Sequence, residues 1–288
     1  MKIDITTIYY FIDKFYEVYI EETKKYNLPN NHKLTRKPGL TMAEIMTILI
    51  MYNFSPCKNF KFYYLTYVSK LDFPQKVSYQ RFIELIPRTI FPICVLLKNM
   101  CNKSDNKKDY FIDSTPLAVC HNKRIKNNKV FKGLAALGKT TKGWFYGLKL
   151  HLVIDTKGNI VNVNLTKGNV NDRKVVDNLT VDLLGKLFGD KGYISVELFK
   201  RLFNRGLQLI TGIKKTMRNQ LTNLYDKVML RKRSLIETVF DYLKNKFNIE
   251  HTRHRSPTNA FVHIISTLIT YSFKPCKPSI KHSFLLQS

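Results

Sequence analysis

Three acidic residues in the second part of the chain stand where their carboxylates could share one site. Asp113 follows the apolar residues 110–112 and would lie on a strand near the centre of a sheet. Asp190 ends another short apolar segment, residues 187–189, at a point where a strand gives way to a helix. Glu237 lies in a segment of helical periodicity. A charge on a central strand is costly unless it has a partner, so these positions suggest a function.

Carboxylates that converge from two strands and a helix would provide hard oxygen ligands, which select Mg²⁺ or Mn²⁺ over softer metals. Two such ions could activate a water or a 3′-hydroxyl and stabilise the leaving oxygen in an in-line displacement at phosphorus. Arg233 and Lys244, which helical spacing puts on the face of Glu237, would bind phosphate there. The pattern therefore indicates phosphoryl-transfer chemistry.

Each of these residues also has a structural explanation. Arg233 and Glu237 could form an ordinary pair on the surface of a helix. Asp190 could cap a helix, and Asp113 could be hydrogen-bonded within a turn. Both sets of explanations remain open on the residues alone.

The charge balance favours a polyanionic partner. The 288 residues include 48 Lys and Arg against 21 Asp and Glu, a net charge of +27. Residues 106–288 carry 33 of the basic side chains and only 12 of the acidic ones. Such an excess is typical of proteins that bind nucleic acid.

The cysteines and the apolar segments exclude several classes of protein. The five cysteines are scattered and form no C-x-x-C pair, which argues against a zinc site or a disulfide framework and favours a reducing cytoplasm. Residues 256–273 carry no formal charge, yet polar side chains interrupt them. We expect a packed helix there, and no association with a membrane.

Residues 1–105 predict an all-helical domain. Apolar residues recur at helical spacing near the start, and Thr41 and Glu44 have the spacing of a capping box at the start of a further helix. Three to five short helices are expected. Such a domain could bind DNA through a helix-turn-helix or serve as a scaffold or dimerisation domain, and periodicity does not decide between these.

Residues 106–288 predict an α+β, or mixed α/β, domain with a five-stranded mixed sheet and flanking helices. The expected strands are residues 110–119, 144–154, 160–165, 187–190 and 207–213, and the expected helices are residues 173–184, 195–205, 231–247 and 258–273. Residues 155–158 predict the turn of a hairpin between the second and third strands.

Five segments of this domain, in order, resemble the DDE transposases of bacterial insertion sequences, in particular the IS982 group. They are FIDSTPLAVC, FYGLKLHLVID, LTKGNVND, FGDKGY and RSLIETVFDYLK, and the resemblance extends over about residues 110–273. It implies an RNase H-like catalytic domain in which Asp113, Asp190 and Glu237 bind two Mg²⁺ ions, with Mn²⁺ as a possible substitute.

Many related transposases carry a Tyr, Arg, Glu, Lys signature on the helix of the last acid. Arg233, Glu237 and Lys244 match it, whereas Leu230 occupies the Tyr position and puts the DNA contact of that site in doubt. Lys191 and Lys149 are further candidates for contacts to DNA phosphates.

The function implied by the resemblance is cleavage of DNA at terminal inverted repeats and joining of the freed ends to target DNA. The expected partners are double-stranded DNA and further copies of this chain in a synaptic complex, and the expected location is the bacterial cytoplasm, with the nucleoid. Two alternatives stay open: a nuclease of the same fold that does not join ends, and an inactive DNA-binding protein derived from a transposase.

Several further residues have competing interpretations. Asp172 is a rival acid, although a helix cap or an ordered loop explains it better. His151 could face the catalytic side or be a structural histidine. Trp144 could stack on an unpaired base or belong to the core of a strand. The basic clusters at residues 123–126, 214–215 and 231–233 could follow a DNA backbone or be solvated.

Overall fold

The computed structural model describes residues 4–26, 39–71, 77–101, 107–141, 143–213, 223–251 and 253–280. Its helices are α1 (Ile5–Lys24), α2 (Met42–Phe54), α3 (Phe60–Thr66), α4 (Tyr79–Leu85), α5 (Ile90–Cys101), α6 (Val176–Leu179), α7 (Val196–Asn204), α8 (Leu224–Lys232), α9 (Ser234–Asp241) and α10 (Pro257–Phe273). Its strands are β1 (Lys107–Cys120), β2 (Ala136–Thr140), β3 (Gly143–Asp155), β4 (Ile160–Lys167), β5 (Leu184–Gly189) and β6 (Leu207–Thr211).

The chain forms two compact units. The first contains Met1–Met100, Phe247–Ile249 and His254–Pro275, and the second contains Cys101–Lys246, Glu250–Arg253 and Cys276–Ser288. The chain passes from the first unit to the second after Met100, and α10 lies in the first unit. The division after residue 105 stays a prediction; it placed α10 with residues 106–288.

The first unit is helical, as predicted, and α2 lies at its centre. The capping box is confirmed, because the Thr41 hydroxyl accepts from the Glu44 amide at 3.2 Å while the Glu44 carboxylate accepts from the Thr41 amide at 2.6 Å. Asn53 at the end of α2 bonds to two threonines of α10, Thr267 at 3.0 Å and Thr270 at 3.3 Å. These polar groups are therefore satisfied within the helix packing.

The polar residues in the charge-free segment 256–273 are explained by this packing. Among the residues that the structure describes, no helix is long and apolar enough to cross a membrane.

The second unit contains a mixed six-stranded sheet. The strand order is β2, β3, β1, β5, β6, with β4 paired to β3 as well. β1 is antiparallel to β3 and parallel to β5, and β5 is parallel to β6. The turn between β3 and β4 is confirmed: Asp155 accepts from the Lys157 and Asn159 amides, and Gly158 has a φ of +71°, which favours glycine.

Two elements differ from the prediction. The sheet has a sixth strand, β2, whose sequence ALGKT has little intrinsic preference for a strand, and which forms because it pairs with β3. The predicted helix over residues 173–184 is wrong: a 3₁₀ turn at Asp172–Val175 leads into the short α6, and β5 already begins at Leu184. The apolar side chains that suggested a long helix, Val175, Val176, Leu179 and Leu183, belong to one buried core cluster although they do not form one continuous helix.

α8 is fixed to the sheet by two polar contacts. The Lys186 ammonium of β5 lies 2.6 Å from a carboxylate oxygen of Asp226, and it also lies 5.2 Å from the centre of the Tyr225 ring. The Tyr225 hydroxyl donates to Asp109 of β1. Since α9 follows α8 directly, this attachment also positions the helix that carries Glu237.

We expect Lys186→Met to destabilise the protein by about 2 kcal/mol, because it leaves the buried Asp226 charge without its partner. This value is reduced from that of a fully buried pair because the Lys186 side chain is 30% exposed. Adding Asp226→Asn should restore part of the loss. Urea unfolding would measure both effects, with Glu197→Gln in the exposed pair with Arg201 as a control that changes stability by less than about 0.5 kcal/mol. An equal loss in Lys186→Met and in the control would contradict the anchoring role.

Candidate active site

Asp113 lies on β1, the strand between β3 and β5, and its carboxylate is held at both oxygens. One oxygen accepts from the Ser114 amide at 2.8 Å, and the other lies 2.9 Å from an Arg233 guanidinium nitrogen. The side chains of Asp113 and Arg233 are each 22% exposed. The aspartate is thus a partly buried charge with one cationic partner.

Arg233 joins Asp113 to Glu237. It stands between α8 and α9, with its second terminal nitrogen 3.1 Å from a Glu237 carboxylate oxygen. The Glu237 side chain is 58% exposed. The i,i+4 pair that sequence spacing allowed is therefore present, and the same guanidinium also binds Asp113. A single arginine brings the first and third acids together.

Asp190 follows the last residue of β5, which runs parallel to β1. It caps the 3₁₀ turn Lys191–Tyr193, since its carboxylate accepts from the Lys191 amide at 2.6 Å. The capping role considered from the sequence is thus real, and it leaves Asp190 exposed to solvent.

The three acids interact electrostatically. The pKa of Asp113 is raised to about 6, chiefly by burial; the Ser114 amide and Arg233 lower it, and the charges of Asp190 and Glu237 contribute to the rise. The rise means that the carboxylate of Asp113 is costly to keep ionised in this environment. An additional positive charge at the cluster would relieve that cost.

The chemistry of these side chains suits a divalent cation, but their arrangement would have to change. In the described part of the chain, no three His, Cys, Asp or Glu side chains are placed so that they could hold a metal ion. The Arg233 guanidinium lies between Asp113 and Glu237, where it provides the positive charge. A hard cation would find carboxylate oxygens here once Arg233 moved aside.

Lys244 has different partners from Arg233. The helix predicted over residues 231–247 is present, but it is interrupted at Arg233 between α8 and α9 and ends in a π-helical turn, Tyr242–Lys246. This turn changes the direction in which later side chains project. Lys244 instead donates to the Pro116 carbonyl at 2.6 Å and pairs with Glu250 at 3.1 Å.

Lys149 and Asp172 form an ion pair. The Lys149 ammonium lies 2.9 Å from the Asp172 carboxylate, donates to the Val170 carbonyl at 3.0 Å, and belongs to a side chain that is only 14% exposed. A contact between Lys149 and DNA would require this pair to open. Asn171, and not Asp172, caps the following turn, so Asp172 orders this loop through its pair with Lys149.

His151 lies on the face of the sheet opposite Asp113. In the antiparallel register His151 faces Ser114 and Leu152 faces Asp113, and successive side chains of a strand alternate between faces. One ring nitrogen bonds to the Thr166 hydroxyl at 2.9 Å, whereas Nδ1 has no hydrogen-bond partner among the described residues and lies 3.7 Å from Asp172. The register thus agrees with the structural interpretation of this histidine.

We expect His151 to make the protein less stable in acid. Burial lowers the pKa of His151 from 6.5 to about 4, so the unfolded chain binds a proton between these values that the folded chain does not. Stability therefore rises with pH across this window. Below it, the loss of stability caused by His151 reaches on the order of 3 kcal/mol. The free energy of unfolding of His151→Gln, measured from pH 7 to pH 4, should fall less steeply than that of the unchanged chain. Parallel profiles would contradict this.

Tyr193 is a residue near the acids that sequence analysis did not single out. Its ring packs over Gly189, where a Cβ atom would lie 3.2 Å from it. Its hydroxyl is buried without a hydrogen-bond partner among the described residues. Burial and the charges of Asp172, Asp113 and Asp190 raise the pKa of Tyr193 well above its ordinary value. Its place in the FGDKGY segment was a signal that could have identified it.

The remaining basic candidates have different environments. Lys191 is exposed beside Asp190, with its stem over Gly212. Residues 123–126 form an exposed 3₁₀ turn, and the pair at residues 214–215 lies outside the described residues. Trp144 is 57% exposed, which contradicts the interpretation that places it in the core of the strand.

The fold and the acids together define an α+β domain whose mixed sheet and adjoining helix carry three interacting carboxylates. Residues 103–257, more than half of the chain, match the family model described as "Transposase DDE domain". The chain belongs to this transposase family.

A solved structure is similar to this chain at the level of the fold. The chain matches the piggyBac transposase in its synaptic complex with hairpin DNA at a TM-score of 0.52 and 12% identity, over 83% of this chain and 68% of that one. The Mos1 strand transfer complex matches at a TM-score of 0.26 and 12% identity, over 89% and 85% of the two chains, which is too low a score to inform the fold. No curated protein sequence matches the chain.

Proposed function

We propose that this protein is a transposase that cleaves DNA at the terminal inverted repeats of an insertion sequence and joins the freed 3′ ends to target DNA. The observation that carries the proposal is the link between Asp113 and Glu237 through Arg233, with Asp190 close enough to raise the pKa of Asp113. The five matching segments further favour the IS982 group and an RNase H-like core. In that core the strand order would be β4, β3, β1, β5, β6, with β2 as an addition.

We propose that Asp113, Asp190 and Glu237 bind divalent metal, Mg²⁺ or in its place Mn²⁺, and that two ions are held. Bound ions would activate the attacking oxygen and stabilise the leaving oxygen at phosphorus. The chain contributes carboxylates from a central strand, a strand end and a helix. Their positions are supported by the Ser114 amide, the Lys191 amide and the anchored α8.

In this proposal Arg233 exchanges its carboxylate partners for a DNA phosphate when metal binds. Without metal, its guanidinium offsets the negative charges of Asp113 and Glu237. When these carboxylates bind metal, Arg233 is free to form charge-assisted hydrogen bonds to a DNA phosphate. The arginine thus keeps the acids close together before the substrate arrives.

Double-stranded DNA is the proposed partner, both as the ends of the element and as its target. The large excess of basic residues in 106–288 would attract the phosphate backbone in a salt-dependent manner. Lys191 is exposed beside Asp190 and is the lysine best placed to contact a phosphate there. Lys149 and Lys244 would act only after their present ion pairs open. Several copies of the chain would be needed to hold two DNA ends, and the helical first unit would add DNA contacts.

The test uses the full chain and a plasmid that carries the DNA flanking its gene. With Mg²⁺ or Mn²⁺ we expect nicks at the ends of the element, followed by joining of those ends to a second plasmid. Nicks without joined products would instead indicate a nuclease. DNA binding without nicks, under conditions in which the protein is folded and metal is present, would indicate an inactive relative and overturn the proposed activity.

A further inference from the structure

The edge of the sheet beside β3 is shared by two strands. Residues 148–154 of β3 pair with β4, whereas residues 143–147 pair with β2, so β2 continues the sheet beyond the end of β4. β1 reaches into the same extension, since Ala118 pairs with Gly147 and Cys120 with Tyr146. Together with the end of β1, the β2–β3 hairpin therefore forms a three-stranded extension of the sheet.

The inner face of this hairpin, which carries Phe145, Gly138 and Gly147, is closely packed. Phe145 is buried on it, and a Cβ atom at Gly138 would lie 2.7 Å from the Phe145 ring and closer still to the Gly168 carbonyl oxygen. A Cβ atom at Gly147 would collide with the Leu117 carbonyl in the same way. Glycine is therefore required for these close approaches, and the packing holds the hairpin in a fixed position.

The outer face of the hairpin is aromatic and exposed. Lys139 faces Trp144 across the two strands, and Leu137 faces Tyr146, so the four side chains share this face. Trp144 is 57% exposed and Leu137 is 47% exposed. The Lys139 ammonium lies 5.5 Å from the centre of the Trp144 ring. A large flat side chain is thus held open to solvent beside a cation.

The surrounding sequence is basic throughout. Between Asp113 and Asp155 the chain has no acidic residue and eight basic ones, namely Lys123, Arg124, Lys126, Lys129, Lys132, Lys139, Lys142 and Lys149. The 3₁₀ turn Asn122–Asn127 is attached to the hairpin, because the Asn122 side-chain amide donates to the Trp144 carbonyl at 2.7 Å. Within the described residues, Lys123, Arg124, Lys126 and Lys139 have no carboxylate partner.

We propose that the outer face of the β2–β3 hairpin binds an unpaired base of DNA by stacking on Trp144, with Lys139 and the cations of the 3₁₀ turn on the adjoining phosphates. This inference rests on the proposed function, which makes DNA the substrate. Binding to the phosphates alone would require only these cations. The exposed ring adds a surface that fits the π face of a base and is indifferent to its identity. Cleavage at a transposon end exposes nucleotides of this kind when the two strands are cut at different positions.

Fluorescence provides a direct test, because Trp144 is the single tryptophan of the chain. The full chain would be titrated with a blunt duplex, the same duplex with a short single-stranded overhang, and the overhang duplex with abasic sites in place of its overhang bases. We expect the intact overhang to quench the fluorescence and to bind about tenfold more tightly than the blunt duplex. The abasic overhang, which keeps the phosphates, should behave like the blunt duplex.

Variants separate stacking from other effects. Trp144→Leu should lose the tenfold preference while keeping its affinity for blunt duplex, and Trp144→Phe should retain part of it, with affinities measured by anisotropy of labelled DNA. Phe203→Leu is the matched control, since Phe203 is an exposed aromatic of α7 at 59%, and it should leave the preference unchanged.

The outcomes distinguish this inference from the proposed function. If the chain binds both DNAs equally and Trp144→Leu changes neither affinity, the stacking site is refuted while DNA binding stands. If no DNA binds, the proposed function itself fails. If Trp144→Leu alters only the sedimentation of the protein without DNA, the hairpin face is an interface between copies of this chain and the inference is overturned.

Discussion

Asp113→Asn should lower the rate of metal-dependent nicking by about 10³-fold, because the loss of a charged ligand removes several kcal/mol of transition-state stabilisation. Asp190→Asn and Glu237→Gln should have effects of similar size. Rates would be measured on plasmid DNA that carries the ends of the element, with Mg²⁺ and again with Mn²⁺.

The controls for these variants must show that the fold and DNA binding persist. Asn at position 113 can still accept from the Ser114 amide, and the aspartate it replaces is costly to ionise, so we expect little loss of stability. Asp182→Asn, at an exposed acid of the same unit, should leave nicking unchanged. If Asp113→Asn nicks DNA at the rate of Asp182→Asn, Asp113 is not a metal ligand.

Arg233→Met should have two opposite effects. Without DNA, Mn²⁺ should bind about tenfold more tightly, because the guanidinium no longer competes for Asp113 and Glu237. Nicking should nevertheless fall by about 10²-fold, because the cation that binds phosphate in the transition state is lost. Calorimetric titration with Mn²⁺ and the plasmid assay would measure the two effects.

Arg201→Met is the matched control, since Arg201 also joins two acids, Asp177 and Glu197, on the surface of the same unit. It should change neither Mn²⁺ affinity nor nicking. Weaker Mn²⁺ binding by Arg233→Met would show that the arginine supports the metal site and does not compete with it, contrary to the alternation proposed for this residue.

Local sequence signals predicted the capping box of the first unit and the turn between β3 and β4, but not the strand β2. Thr41 and Glu44 predicted their capping box, and residues 155–158 predicted the turn between β3 and β4, because both structures are formed by residues a few positions apart. β2 escaped prediction because ALGKT becomes a strand only through its pairing with β3. The sequence left both interpretations of Trp144 open for the same reason, since the face that this side chain occupies is set by that pairing.

For the proposed active site, sequence by itself determined which acids stand at a strand, a strand end and a helix, because apolar runs and helical periodicity are local patterns. The tertiary structure decided what these acids touch. A break between α8 and α9 turns Arg233 toward both Asp113 and Glu237, and a π turn sends Lys244 to Glu250. Lys149 of β3 pairs with Asp172, which lies in the 3₁₀ turn before α6. Arg233 and Asp113 are 120 residues apart along the chain, and Lys149 and Asp172 are 23 apart, so only the packing of strands and helices fixes the distances between these charges.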